Sequence, residues 1–140
     1  MTLGRAVALA LLVAPLLAGG PAPAQSDTDA KAAAEPVMKQ LEAFRRDDYA
    51  AAYAFASEQI QRMFDRPAFE RMVKGGYPEI ARSVFALVAE SQVAPDGHVY
   101  LRVKVRGANG NSIEAVYDMV REGGGWRING VAAKPDPGVV

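Results

Sequence analysis

Val99-Tyr100-Leu101-Arg102-Val103-Lys104-Val105-Arg106 alternates apolar and polar side chains without a break, and Ser112-Ile113-Glu114-Ala115-Val116-Tyr117-Asp118-Met119-Val120 answers it. Between them lies Gly107-Ala108-Asn109-Gly110-Asn111, rich in the residues that turn a chain. A period of two sends successive side chains to opposite faces of a strand, so the segment predicts an antiparallel hairpin. Centring the loop at Asn109 sets a register. Lys104 then faces Glu114, Tyr100 faces Asp118, and Arg102 lies diagonal to both acids. On the other face Val103 meets Ala115, Leu101 meets Tyr117, and Val99 meets Met119. Opposite charges across a strand pair contribute about 0.2–1 kcal/mol each. A slip by one residue would exchange the two faces and undo the sorting.

Two further strands extend the hairpin. Upstream, Phe85, Leu87, Ala89, Ser91 and Val93 alternate with Val84, Ala86, Val88 and Glu90, and Pro95-Asp96-Gly97 provides a turn. Downstream, Gly123-Gly124-Gly125 turns the chain into Trp126-Arg127-Ile128-Asn129, where Gly130 weakens the strand. Before Arg82 the apolar period is close to four. Val37, Leu41 and Phe44 stand at i, i+4 and i+7 of a helix from Glu35. Asp48 and Ser57 are placed to cap the next helical turns. Pro67 suits a helix start, and Gly75-Gly76 suits a left-handed helix end. Helices followed by strands imply an α+β domain, with N-terminal helices over a curved antiparallel sheet of four or more strands. The single domain is expected over 34–134, with a flexible lead-in at 25–33 and an irregular tail at 135–140.

The chain has 140 residues, 50% of them hydrophobic, and 16 basic against 16 acidic groups. One domain is the natural reading of that length, and a neutral total gives no general pull towards nucleic acid or anionic membrane. There is no cysteine and one histidine, His98, which excludes disulfides, thiolate chemistry and multi-histidine metal sites. Met1 to Ala24 has the pattern of a secretory signal peptide: Arg5, an apolar run from Ala6 to Ala18, then the small residues Ala22-Pro23-Ala24. That run is shorter than the ~18 residues of a membrane span. Cleavage after Ala24 removes Arg5, leaving 15 basic and 16 acidic groups. The expectation is a secreted protein with no membrane span after cleavage, periplasmic if its source is a Gram-negative bacterium.

Several segments carry a family likeness: Gln40-Leu41-Glu42-Ala43-Phe44, Asp48-Tyr49, Ala54-Phe55-Ala56-Ser57, Ile60-Gln61, Met63-Phe64, Met72-Val73, Gly76-Tyr77-Pro78 and Gly125-Trp126-Arg127-Ile128-Asn129-Gly130-Val131. On these the chain resembles the nuclear-transport-factor-2-like (cystatin-like) superfamily of cone-shaped α+β domains. More closely, it is similar over about Glu35–Pro135 to a bacterial family known as domain of unknown function 4864. The resemblance implies a cone. It does not imply one activity, because that superfamily holds isomerases, dehydratases and non-enzymatic binders.

The residues themselves offer little catalysis. The glycine clusters lie in turns and lack the helix and lysine of a phosphate loop. His98 sits beside a turn and is expected to be simply solvated. An isomerase or hydratase of this fold would need a carboxylate in an apolar wall. Asp118, the one acid deep in a strand, is aimed by the register away from the helices, towards Tyr100 and Arg102. No catalytic residue, metal ligand or cofactor is therefore assigned. The expected interior holds Tyr53, Phe64, Met72, Tyr77, Leu101, Tyr117, Met119 and Trp126, and the functional reading of it is a pocket for a small apolar ligand oriented by tyrosine hydroxyls. The opposite sheet face mixes Tyr100, Arg102, Lys104, Glu114, Val116, Asp118, Arg127 and Val131. It suits a homodimer surface, with Tyr100, Arg102, Val116, Asp118 and Val131 at its centre. The leading expectation is a non-catalytic binding module, the rival a small isomerase or hydratase.

Overall fold

The computed structural model describes residues 23–138. Five helices come first: α1 (Pro23–Arg45), α2 (Tyr49–Ala54), α3 (Glu58–Met63), α4 (Arg66–Gly76) and α5 (Pro78–Ala81). Four strands follow: β1 (Ser83–Val93), β2 (Val99–Gly107), β3 (Ser112–Glu122) and β4 (Gly125–Pro135). They form one antiparallel sheet in the order β1-β2-β3-β4, each strand beside its neighbour in sequence. The architecture is α+β, helices then sheet.

The β2–β3 register is the one the side-chain alternation predicts: Lys104 opposite Glu114, Val103 opposite Ala115, Leu101 opposite Tyr117, Tyr100 opposite Asp118 and Val99 opposite Met119. Its apolar side is sealed, since Val99, Leu101, Val103, Ala115, Tyr117 and Met119 are at most 1% exposed. On the outer side Arg102 is diagonal to both acids but serves only one of them. Its Nε lies 3.6 Å from Glu114 Oε1 and it pairs with Glu90 on β1.

Bulges decide how β1 and β4 present their side chains. In β1 the register shifts between Ser83 and Phe85 and again between Val88 and Glu90. Ala86 and Val88 fall opposite Val105 and Val103 and pack on the core. Phe85 and Leu87 fall opposite Arg106 and Lys104 and are 57% and 51% exposed. Both alternating sets of β1 are apolar, so the period alone could not say which faced inward. In β4, Asn129 is the extra residue between the Asp118–Gly130 and Met119–Ile128 pairs. A bulge of one residue reverses the alternation beyond it. Trp126 and Ile128 are buried before it, and Val131, opposite Tyr117, packs on the core after it. Val131 therefore leaves the outer face where strict alternation had placed it.

The helices close over the buried side of the sheet. Val37, Leu41 and Phe44 form the buried stripe of α1. The segment 25–33, expected to be an irregular lead-in, is helical instead. Its alanines favour helix intrinsically, Ala33 is fully buried, and Asp29 is tied to the distant Arg121 at 3.0 Å. Neither anchor leaves an apolar period in that segment. The helix also carries Pro36 in its interior, which sacrifices one backbone hydrogen bond. The proposed export segment lies almost wholly outside the described residues, of which Pro23 and Ala24 open α1. At the other end Asp136 donates its N–H to the Ser112 carbonyl at 3.0 Å, so the expected tail is partly tied to the sheet.

After α1 the chain reverses through Asp47 in the left-handed region (φ 56°). Asp47 and Asp48 donate back to the carbonyls of Phe44 and Ala43 at 2.9 Å each, which satisfies the open helix end. Both Asp47 oxygens also take the Arg82 guanidinium, at 2.8 and 3.0 Å. Asp48, Ser57 and Asp65 cap the next three helices through side-chain oxygens. The end of α4 needs no left-handed glycine, because Tyr77 stops it at φ −137° and Pro78 starts α5. No helix among the described residues is long and apolar enough to cross a membrane.

This placement predicts a sharp contrast between two leucines of neighbouring strands. Leu101→Ala should cost about 2–5 kcal/mol in a urea unfolding titration, while Leu87→Ser should change stability by less than about 0.5 kcal/mol. Equal losses would contradict the inner and outer assignment.

Candidate functional site

Where the helices meet the β4 end of the sheet they leave a cavity of about 240 Å³. Its helical wall is Phe44 of α1, Ile60 of α3, Phe64, then Phe69, Met72 and Val73 of α4 and Ile80 of α5; Ile128 and Val131 form the strand wall. Two polar side chains reach it, Gln40 and Tyr77. Gln40 sits three residues after Val37 and one before Leu41, so the helical period places it on the buried stripe. It is 4% exposed and donates Nε2–H to the Ala52 carbonyl at 3.1 Å, joining α1 to α2. Tyr77 donates its hydroxyl to the Val131 carbonyl at 3.3 Å. Among the described residues no charged side chain lines the cavity.

Of the residues expected in a ligand pocket, Phe64, Tyr77 and Met72 line it. The others do not. Tyr53 packs edge-on against Phe69, with ring centroids 5.3 Å apart, and gives its hydroxyl to the Phe64 carbonyl at 2.5 Å. Leu101, Tyr117 and Met119 are solid core. Trp126 lies on a separate open groove of about 570 Å³ between α1 and the β3–β4 turn, where the Arg121 guanidinium sits 4.6 Å above its ring. Most charges in that groove are paired within the chain, Lys39 with Glu35 at 2.9 Å and Arg121 with Asp29 at 3.0 Å, while Arg127 donates to the Ala54 carbonyl at 2.5 Å. The wall residues that sequence reasoning missed carry recognisable signals: a lone glutamine in an apolar helical stripe, and an Asn-Gly pair marking the β4 bulge.

Tyr117 is sealed differently. Its hydroxyl is buried and has no hydrogen-bond partner among the described residues. Burial, with a smaller contribution from Tyr77, pushes its ionisation far above the ordinary value near 10.

A chain of polar side chains borders the cavity from outside. His98 is not simply solvated. Its Nδ1 is 2.7 Å from Asp118 Oδ1, with the two side chains 30% and 27% exposed. Asn129 Nδ2 donates to Asp118 Oδ2 at 3.1 Å, and Ser57 Oγ donates to Asn129 Oδ1 at 2.8 Å. Ser57 Oγ in turn accepts the Ile60 N–H at 3.2 Å, capping α3. Four side chains thus link the β1–β2 turn to the helix start that carries the wall residue Ile60. The bulge makes the link possible by swinging Asn129 between Asp118 and Ser57. Tyr100 stacks on His98 with centroids 6.2 Å apart, and the Asp118 carboxylate, with lesser contributions from burial and Asp96, raises the Tyr100 ionisation. Asp118 consequently belongs to the outer face and not to the cavity.

The expected dimer residues Tyr100, Arg102, Val116 and Asp118 share that outer face, as their pairing partners show. Among the described residues no group of three or more potential ligands is placed to hold a metal ion.

The fold is an α+β domain in which helices cover one side of a four-stranded antiparallel sheet and leave an apolar pocket beside β4. The chain belongs to the family described as domain of unknown function (DUF4864), whose model matches residues 26–139. No curated protein and no solved structure matches it.

Removing the orphaned hydroxyl should help the fold. Tyr117→Phe is expected to stabilise the protein by about 1 kcal/mol at pH 7, since a buried donor without a partner is a net cost. The folded state holds this tyrosine neutral above the pH at which the unfolded chain ionises it. Its contribution is thus complete below about pH 10 and falls as the pH rises further, by up to ~1.4 kcal/mol per unit. Urea titrations at pH 7 and 11 should show the variant losing part of that alkaline fall; a variant less stable than the parent at pH 7 contradicts the reading.

Proposed function

We propose that the protein is an exported, single-domain, non-catalytic module that holds a small apolar ligand between its helices and its sheet. The observation that carries this reading is the 240 Å³ cavity with its apolar wall and two polar tips. Engineered apolar cavities of ~150 Å³ take up benzene, so the space suits a ligand of one or two rings. Helices covering one side of a bulged four-stranded antiparallel sheet support a cone of the nuclear-transport-factor-2-like kind. The isomerase or hydratase alternative needs a carboxylate in the cavity wall. None lines it, and Asp118 is held on the outer face by His98 and Asn129.

Ligand binding should raise the unfolding temperature, with a stabilisation of RT ln(1 + L/Kd) that keeps growing with the free ligand concentration L. A panel of uncharged one- and two-ring aromatics, read by thermal unfolding and calorimetry, is expected to give saturable binding to the parent and none to Ile60→Trp, which fills the wall. Failure of every small apolar compound to bind the parent overturns the reading.

A second reading concerns partners. Phe85, Leu87 and Tyr100 are 57%, 51% and 37% exposed on the outer face, where Val116 also lies, and their spacing favours pairing of two copies through the sheet. Export is supported by the signal-peptide pattern of residues 1–24. Protein recovered from the exported fraction should begin at Gln25 by intact mass and behave as a dimer in light scattering at micromolar concentration. A monomer there removes the dimer, and protein found only in the cytoplasm with residues 1–24 intact removes the export assignment.

A further inference from the structure

Among the described residues, Gln40 is the one amide side chain on the wall of the cavity. Its carboxamide orientation is set by chemistry, because the Ala52 carbonyl can only accept and so must face Nε2. That leaves Oε1 as the outward end of the amide. Among the described residues Oε1 receives no hydrogen bond, yet unlike the Tyr117 hydroxyl it is not sealed from solvent-sized space. The space open to a 4%-exposed side chain on this wall is the cavity. Tyr77, the other polar tip, has already spent its hydroxyl proton on the Val131 carbonyl. Both tips therefore offer lone pairs. The remaining wall is hydrocarbon and aromatic, with no cation to hold an anion and no carboxylate to hold a cation.

Resting on the ligand-binding reading above, we propose that the occupant is an uncharged apolar molecule bearing one hydrogen-bond donor, an N–H or O–H, and that Gln40 Oε1 accepts it. A buried acceptor left unmatched is costly, so the cavity discriminates against molecules of the same shape that lack a donor. Carboxylates and ammonium groups are excluded by the absence of a counter-charge.

Indole and benzothiophene test this directly, since they share shape and hydrophobicity while only indole carries an N–H. Calorimetric titration of the parent protein should show indole binding about five- to tenfold more tightly, the range of one net hydrogen bond. In Gln40→Met, a side chain of similar length without an acceptor, indole should weaken to the benzothiophene level while benzothiophene is little changed. The variant also removes the Nε2 bond to the Ala52 carbonyl, which keeps only the Phe55 N–H at 3.2 Å, so the parent provides a second readout. The Gln40 side-chain carboxamide resonances should shift on adding indole and stay in place on adding benzothiophene. Equal affinity of the two probes for the parent, with no indole-specific shift, overturns the role of Gln40 and leaves the apolar pocket standing. Failure of both probes to bind overturns the ligand-binding reading itself.

Discussion

The pairing of β2 with β3 is the constraint on which the rest of the molecule depends. Side chains alternate strictly across a strand, so a single register choice commits every residue of both strands to one face. Here it buries Val99, Leu101, Val103, Ala115, Tyr117 and Met119 together and leaves Lys104, Glu114, Arg102 and Asp118 outside. The outer charges are nearly self-sufficient: Glu114, only 11% exposed, lies between Arg102 at 3.6 Å and Lys134 at 3.8 Å. Pairs this long, to a carboxylate this well covered, add little net stability once desolvation is counted, but they penalise the slipped register, in which buried charge would face the helices. The apolar side drives burial and the charged side keeps the pairing unique.

The bulge at Asn129 turns that sheet into a wall with a cavity beside it. Without the extra residue, β4 would carry one uninterrupted alternation and Val131 would face solvent. With it, Val131 joins the interior, Gly130 passes the cavity as bare backbone, and Asn129 reaches from Asp118 to Ser57. One local irregularity shapes the pocket and connects it to the polar outer face through the α3 cap. A parallel bridge between Ala56 and Ile128, with Ser57 N–H and Ile128 N–H each satisfied at 2.8 Å, fastens the same corner.

Much of this was legible in the sequence because it is local. The hairpin register, the caps at Asp48 and Ser57 and the buried stripe of α1 all follow from spacing. The failures share a cause, which is that the deciding partner lies far along the chain. Residues 25–33 become helix with Arg121 and the core as anchors; His98 is held by Asp118, twenty residues on; Val131 turns inward through a bulge that alternation cannot foresee. The pocket was half legible. Phe64, Met72 and Tyr77 were expected, but an aromatic or aliphatic side chain gives no sign of whether it fills the core or lines a gap, as Leu101, Tyr117 and Met119 show. Gln40 was the visible anomaly, a polar group on an apolar stripe.

The order of elements along the chain bears on how it is made. Every strand pairs with its immediate neighbour, so the sheet can zip from successive hairpins with short loop closures. The helices are different, since α1 buries Val37, Leu41 and Phe44 against strands whose last residues lie some ninety positions later. A ribosome delivers the amino end first. The greasy flank of α1 is thus synthesised long before its cover exists, and that stripe stays open to solvent until β4 emerges.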